Sequence, residues 1–171
     1  MSDLPQLNMK YDDITNLPPF QLPEGFSLHT HTDDLVPVWE HIIDEAFKTH
    51  FSFEECMKDP DFYNPEHIFY IKYKGEFIAT ATATERAKFP GLGLFHMIAV
   101  LPSARGLGAG RLVCMAALHS LAKQGYKTAV LSTDDDRLPA ISLYLSLGFK
   151  PWYRHESHEE RWNKILKTLK K

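Results

Sequence analysis

Residues 94–133 leave this chain few ways to fold. They read as an apolar strand, "LFHMIAVL", a loop, "PSARGLGAG", a helix over 109–124 closed by Gly125, and a second apolar strand, "KTAVLST", at 127–133. A strand that is apolar nearly throughout is one buried on both faces. Two such strands joined through a helix lie parallel, and the crossover between them is right-handed. "LPAISLYLSLG" then continues as a further helix, with Gly148 as its C-terminal stop.

The flanking segments supply antiparallel strands. "IFYIKY" and "EFIATATAT" alternate around "KG", a compact hairpin turn. "FSLHTHT" at 26–32 reads as a strand entering the fold. "TDDLVPVWEHIIDEAF" reads as a helix, with Val36, Trp39, Ile43 and Phe47 at helical spacing. Trp39, Phe47, Phe51, Phe53 and Tyr63 can form an aromatic pocket wall or core, and the spacing favours core for Trp39 and Phe47. A weaker helix occupies 52–59, "FKPWYRHES" is a last strand, and "EERWNKILKTLKK" is a closing amphipathic helix. Residues 1–25, with four prolines, read as an N-terminal arm with little regular structure, and 26–171 as one domain. The expected class is α+β in an α/β/α layering, with a mixed, mostly antiparallel sheet and helices on both faces.

The loop "ARGLGAGRL" (104–112) puts three glycines and two arginines at a helix start. A helix N-terminus offers unpaired N–H groups and about half a positive charge, which suits a diphosphate. Glycines let the backbone approach the phosphate oxygens. A P-loop would need Lys-Ser or Lys-Thr after its glycines, and none follows. A dinucleotide fingerprint, G-x-G-x-x-G, matches at Gly106 and Gly108 but meets Arg111 at its third glycine.

A third pattern fits. Arg105 to Gly110 matches [QR]-x-x-G-x-[GA], with "V-x-P" before it and "AISLYLSLGF" after it at the expected interval. Over about residues 26–155 the chain thereby resembles the GNAT acyl-coenzyme A transferases. The resemblance implies the GNAT fold, whose parallel strands splay apart, with acetyl-coenzyme A as co-substrate and no metal. The diphosphate would lie on Arg105, Gly106, Leu107, Gly108, Ala109, Gly110 and Arg111. The pantetheine arm would bond Ile98, Ala99 and Val100, with an N–H near Ile98 for the thioester carbonyl. The implied reaction is direct attack by a primary amine of a small molecule or peptide. Tyr144, the Tyr of "LYLSLGF", matches the family's acid for the departing thiolate. The family's Asn seven residues earlier is Arg137 here, which stands as a cofactor contact, as a group for an acidic acceptor, or as a partner of Asp134–Asp136.

His96 interrupts the apolar strand and has a reference pKa that suits a base. Strand alternation puts it on the face of Ile98 and Val100. Glu85 and Asp134 are lesser candidates for the same role. "HTH" at 29–31 and "HESHEE" at 155–160 match no metal motif and read as solvated surface.

A formal charge of −3 argues against general nucleic-acid binding, no apolar run is long enough for a membrane span, and Cys56 and Cys114 form no CxxC pair. A polar, acidic start, "MSDLPQLNMKYDD", is no signal peptide, so the expected location is the cytoplasm. A homodimer is compatible with all of this, but no pattern specifies one. The alternative function is a non-catalytic acyl-coenzyme A sensor. A nucleotide-binding protein would instead be stabilised by ATP or NAD.

Overall fold

The computed structural model describes residues 4–170. Seven strands form one sheet in the order β2-β3-β4-β5-β6-β1-β7: β1 Leu7–Tyr11, β2 Phe26–Thr30, β3 Ile68–Tyr73, β4 Glu76–Thr84, β5 Gly93–Val100, β6 Ala129–Thr133 and β7 Lys150–Trp152. Among the described residues the α-helices are α1 (Val36–Phe47), α2 (Phe53–Met57), α3 (Ala109–Lys123), α4 (Leu138–Leu147) and α5 (His158–Leu169), joined by loops with three short 3-10 turns. Every neighbouring pair is antiparallel except β5 and β6, which run parallel as the crossover pattern requires.

Helices cover both faces. A β-carbon on Gly93 of β5 would lie 2.9 Å from Leu121 of α3, so that residue looks towards α3. His96, on the other face, meets α2 through the Cys56 carbonyl. Trp39, Ile42 and Ile43 of α1 and Phe53 of α2 are fully buried on that second side. Burying apolar side chains on both sides of a sheet is the main stabilising contribution in such a layered fold.

Two features depart from the sequence reading. The first concerns residues 1–25. Far from lying on the domain without regular structure, this segment contributes β1, which sits inside the sheet between β6 and β7. Leu7 and Met9 are fully buried and Asn8 nearly so, as both faces of an interior strand must be. The alternation Leu7, Met9, Tyr11 carried this signal, but the run is short and prolines bracket it. The second departure lies in β5. Thr82 pairs with His96 while Thr80 pairs with Ala99, so three steps on β5 oppose two on β4. Met97 takes a left-handed φ of 52° at this bulge. An extra residue reverses the side-chain alternation beyond it. His96 and Val100 therefore lie on opposite faces, against the alternation-based placement.

The parallel pairing is brief. Only Gly93 with Ala129 and Leu94 with Val130 are in register. Beyond them β5 stays with β4 and β6 stays with β1, so the two strands part and leave a wedge.

Candidate active site

The wedge opens into a cleft of about 860 Å³. One wall is the β5 edge at Ile98, Ala99 and Val100. The loop before α3 presents Arg105, Gly106, Gly108, Ala109, Gly110 and Arg111, while Arg137 and Tyr144 face the cleft from α4 and its start. Phe47, Thr49 and Phe51, from the end of α1 and the turn after it, close the remaining side. Most of the residues singled out in the sequence thus meet in one place. Leu107 is exposed at the loop tip outside this lining, and His96 and Glu85 are also outside it.

The loop has the properties of an anion cradle. Gly106 and Gly108 adopt φ of 90° and 84°, in the left-handed region that glycine enters without strain. A β-carbon on either would meet nothing within 4 Å, and both residues line the cleft. At Gly110 a β-carbon would lie 3.2 Å from Leu143 and 3.4 Å from Val100, so glycine there lets α3 close against α4 and β5. Leu112 N–H donates to the Gly108 carbonyl at 3.2 Å, whereas the N–H groups of residues 106–111 meet no backbone acceptor among the described residues. Unpaired donors at the positive end of a helix dipole, flanked by two arginines, fit a diphosphate.

Tyr144 stands on α4 with its ring packed edge-on against Phe149, centroids 6.0 Å apart. Its hydroxyl has no hydrogen-bond partner among the described residues. Burial pushes its pKa upward, the Cys114 thiol beside it does so further, and the Arg137 charge opposes both. The phenol is therefore protonated at any working pH.

His96 is placed differently from the expectation. Its Nε2–H donates to the Cys56 carbonyl at 3.0 Å, a carbonyl to which Arg86 Nη2 also donates at 3.5 Å. Burial lowers its pKa to about 4, the hydrogen bond to Cys56 only partly opposing this. A histidine that binds its proton more weakly when folded makes stability fall as pH drops from about 6.5 towards 4. The loss at His96 amounts to about 3 kcal/mol at most over that window. His96→Gln, which keeps a donor for Cys56, is expected to flatten this dependence in urea unfolding at pH 7 and pH 4.5. His31 and His67, whose pKa values burial also lowers, and the carboxylates of Asp44 and Asp135, held low by His50 and Arg161, contribute to the slope that remains, while His50, raised by Asp44, opposes it. An identical pH dependence in variant and wild type would show that His96 is not the titrating group.

The other candidates separate cleanly. Glu85 accepts from Tyr126 Oη at 2.8 Å and from the Gly91 N–H at 3.3 Å, away from the cleft. Asp134 borders the cleft and accepts from Gln6 Nε2 at 3.2 Å. Phe47, read as core, is only half-buried and forms part of the cleft wall. The "HTH" and "HESHEE" histidines are not all solvated surface: His31 is buried with Nδ1 2.7 Å from Tyr70 Oη, and buried His158 accepts from the Arg154 N–H at 3.2 Å. Among the described residues no three His, Cys, Asp or Glu side chains group as a metal site, and no helix is long and apolar enough to cross a membrane.

The side chain that sequence patterns could not orient is Arg137. Its guanidinium carbon lies 4.0 Å from the centroid of the Phe47 ring, and it forms no ion pair with the aspartates before it.

Comparison with known proteins agrees with this geometry. The model of the acetyltransferase (GNAT) family matches residues 29–149. The mycothiol acetyltransferase of Paenarthrobacter aurescens (strain TC1) is 30% identical over 102 residues, which is 57% of this chain and 32% of that protein. A GCN5-related N-acetyltransferase from Sphaerobacter thermophilus superposes with a TM-score of 0.68 at 20% identity, over 87% of this chain and 50% of that one. An aminoglycoside N-acetyltransferase solved in complex with CoA does so with a TM-score of 0.60 at 18% identity, over 80% of this chain and 99% of that one. The chain spans about half or less of the length of the curated relatives it matches. Since the family match runs through β5, the glycine loop and α4, the elements that build the cleft, this chain belongs to the GNAT acetyltransferase family.

Proposed function

We propose that the cleft binds acetyl-coenzyme A and that the protein transfers the acetyl group to a primary amine of a small molecule or peptide by direct attack. One observation carries this reading. The glycine loop with its unpaired N–H groups, the unpaired β5 edge and a partnerless tyrosine hydroxyl all border the same wedge. The names of the relatives, mycothiol acetyltransferase and aminoglycoside N-acetyltransferase, support a small-molecule acceptor.

In this reading the N–H groups of residues 106–111 hold the diphosphate, with Arg105 and Arg111 adding positive charge. The edge of β5 at Ile98, Ala99 and Val100 holds the pantetheine arm in the manner of an added strand. A preorganised N–H on that edge stabilises the charge that develops on the thioester oxygen. Tyr144 donates its proton to the leaving sulfur. His96 is a positioning residue, pinning α2 to β5 through Cys56. His96, with a pKa about 4 and outside the cleft, is no acceptor for the amine's proton, so the amine enters as the free base. As the C–N bond forms and the C–S bond breaks, its surplus proton leaves to solvent and solvent returns a proton to Tyr144.

The test is acetyl-coenzyme A incubated with a panel of amines, amino acids and peptides, with free thiol followed by a colour reagent. Thiol release that requires an amine is expected. Thermal protection by coenzyme A without release from any amine would favour the sensor reading. Protection by ATP or NAD in place of coenzyme A would overturn the cofactor assignment.

A further inference from the structure

We propose that Arg137 binds a carboxylate on the acceptor, so that this site selects amines that also carry an acidic group. The inference rests on the transfer reading above and concerns the same cleft.

Three aspartates immediately precede Arg137, yet none of their carboxylates pairs with its guanidinium; only its backbone N–H donates, to the Asp134 carbonyl at 3.2 Å. Asp135 accepts from Arg161 Nε at 3.0 Å and Asp134 from Gln6. The Arg137 guanidinium instead crosses to Phe47, ninety positions earlier in the chain, and lies over its ring at 4.0 Å. A ring stacked on one face of a guanidinium leaves the N–H groups, which project in its own plane, open to an acceptor. Those donors meet no acceptor among the described residues. The result is a half-buried cation in the wall of the cleft, held in position by an aromatic ring and lacking an anion. A partly desolvated charge is stabilised by a counter-charge, and a guanidinium fork suits a carboxylate or a phosphate in two-point contact.

Position decides which anion it is. The glycine loop meets α4 near its C-terminal end, where Arg111 Nη1 donates to Ser146 Oγ at 3.4 Å and Gly110 faces Leu143. Arg137 stands at the opposite end of α4, as its N-cap. Nine residue steps lead from Arg137 to Ser146, about 13.5 Å along the axis. Coenzyme A carries its diphosphate and third phosphate on the nucleotide side, and the arm from there to the thioester is uncharged. With the diphosphate on the loop, the group that reaches Arg137 belongs to the acceptor. Phe47 and Phe51 beside it offer apolar contact to the rest of that molecule.

The experiment compares α-, β- and γ-amino acids with their amides as acceptors, in wild type, Arg137→Gln, Arg137→Lys and Phe47→Leu. The quantity read is the acid-to-amide ratio of kcat/KM. Wild type is expected to favour the acid at least tenfold in one pair or more. In Arg137→Gln that ratio falls tenfold or more, with the change in KM. The Lys variant, charged but without the fork, and Phe47→Leu, which removes the support, fall between. An unchanged ratio in Arg137→Gln overturns the inference. So does a tenfold loss of coenzyme A affinity with both acceptors slowed alike, which would assign Arg137 to a cofactor phosphate. If wild type releases no thiol with any amine, the transfer reading fails, and thermal shift with N-acetylated amino acids plus coenzyme A decides the role of Arg137. Stabilisation of wild type but not of Arg137→Gln upholds carboxylate binding, and equal responses overturn it.

Discussion

Gly108→Asp raises the dissociation constant for coenzyme A by about a thousandfold and leaves the chain folded: that is the largest effect expected from this structure. The N–H groups of residues 106–111 meet no backbone acceptor among the described residues, and a side chain on Gly108, which lines the cleft, would meet open space. For a carboxylate and a phosphate charge about 4 Å apart at an effective dielectric near 20, one repulsion costs about 4 kcal/mol. Each 1.4 kcal/mol is about tenfold in affinity, which gives the thousandfold figure. The fold survives for a separate reason. The left-handed φ of 84° costs an aspartate about 1 kcal/mol, which lowers Tm by a few degrees. Gly108→Asn bears the same backbone cost without the charge, so its loss of affinity stays below about tenfold. Calorimetric titration with coenzyme A, beside thermal melts of both variants, checks the prediction. Undiminished affinity in Gly108→Asp sinks the assignment of the loop.

Tyr144→Phe is expected to lower kcat about a hundredfold with little change in coenzyme A affinity, the lower end of the range for loss of a general acid. The substitution removes one oxygen and keeps the ring that packs against Phe149. Because the hydroxyl has no partner in the fold, its loss costs no internal hydrogen bond, and Tm stays level or rises slightly. This separates the two roles a tyrosine can have here. A packing residue would move Tm and leave kcat alone. An acid moves kcat and leaves Tm alone. If turnover in Tyr144→Phe matches wild type, the thiolate departs without help from this phenol.

Much of the site was legible because its parts are local in sequence. The glycine loop lies within nine consecutive residues at a strand-to-helix turn, and the left-handed angles of Gly106 and Gly108 are a local backbone property. Tyr144 followed from "LYLSLGF", a pattern spaced to the loop by one helix, one strand and a turn. The parallel pair followed from two apolar strands joined by a helix, and the mixed sheet with helices on both faces is the architecture found. His96 was misplaced because alternation counts residues and cannot register a bulge, which depends on how β5 seats against β4. The N-terminal strand was missed because five residues among prolines give a weak periodic signal, while the pairing that makes them a strand comes from β6 and β7, more than a hundred positions away.

The sequence by itself determined most of the local units from β2 onward: which segments are strands and helices, where glycines turn the loop, and which side chains can carry protons or charge. Periodicity and backbone preference act over a few residues, so they are written in the order of the chain. Only the tertiary structure decided what those units face. It put β1 inside the sheet, turned His96 towards α2, buried His31 against Tyr70, and laid Arg137 on Phe47 instead of on its neighbouring aspartates. Each of these outcomes is a contact between groups far apart in sequence, chosen by burial and charge pairing in three dimensions, and no short stretch of chain contains both partners.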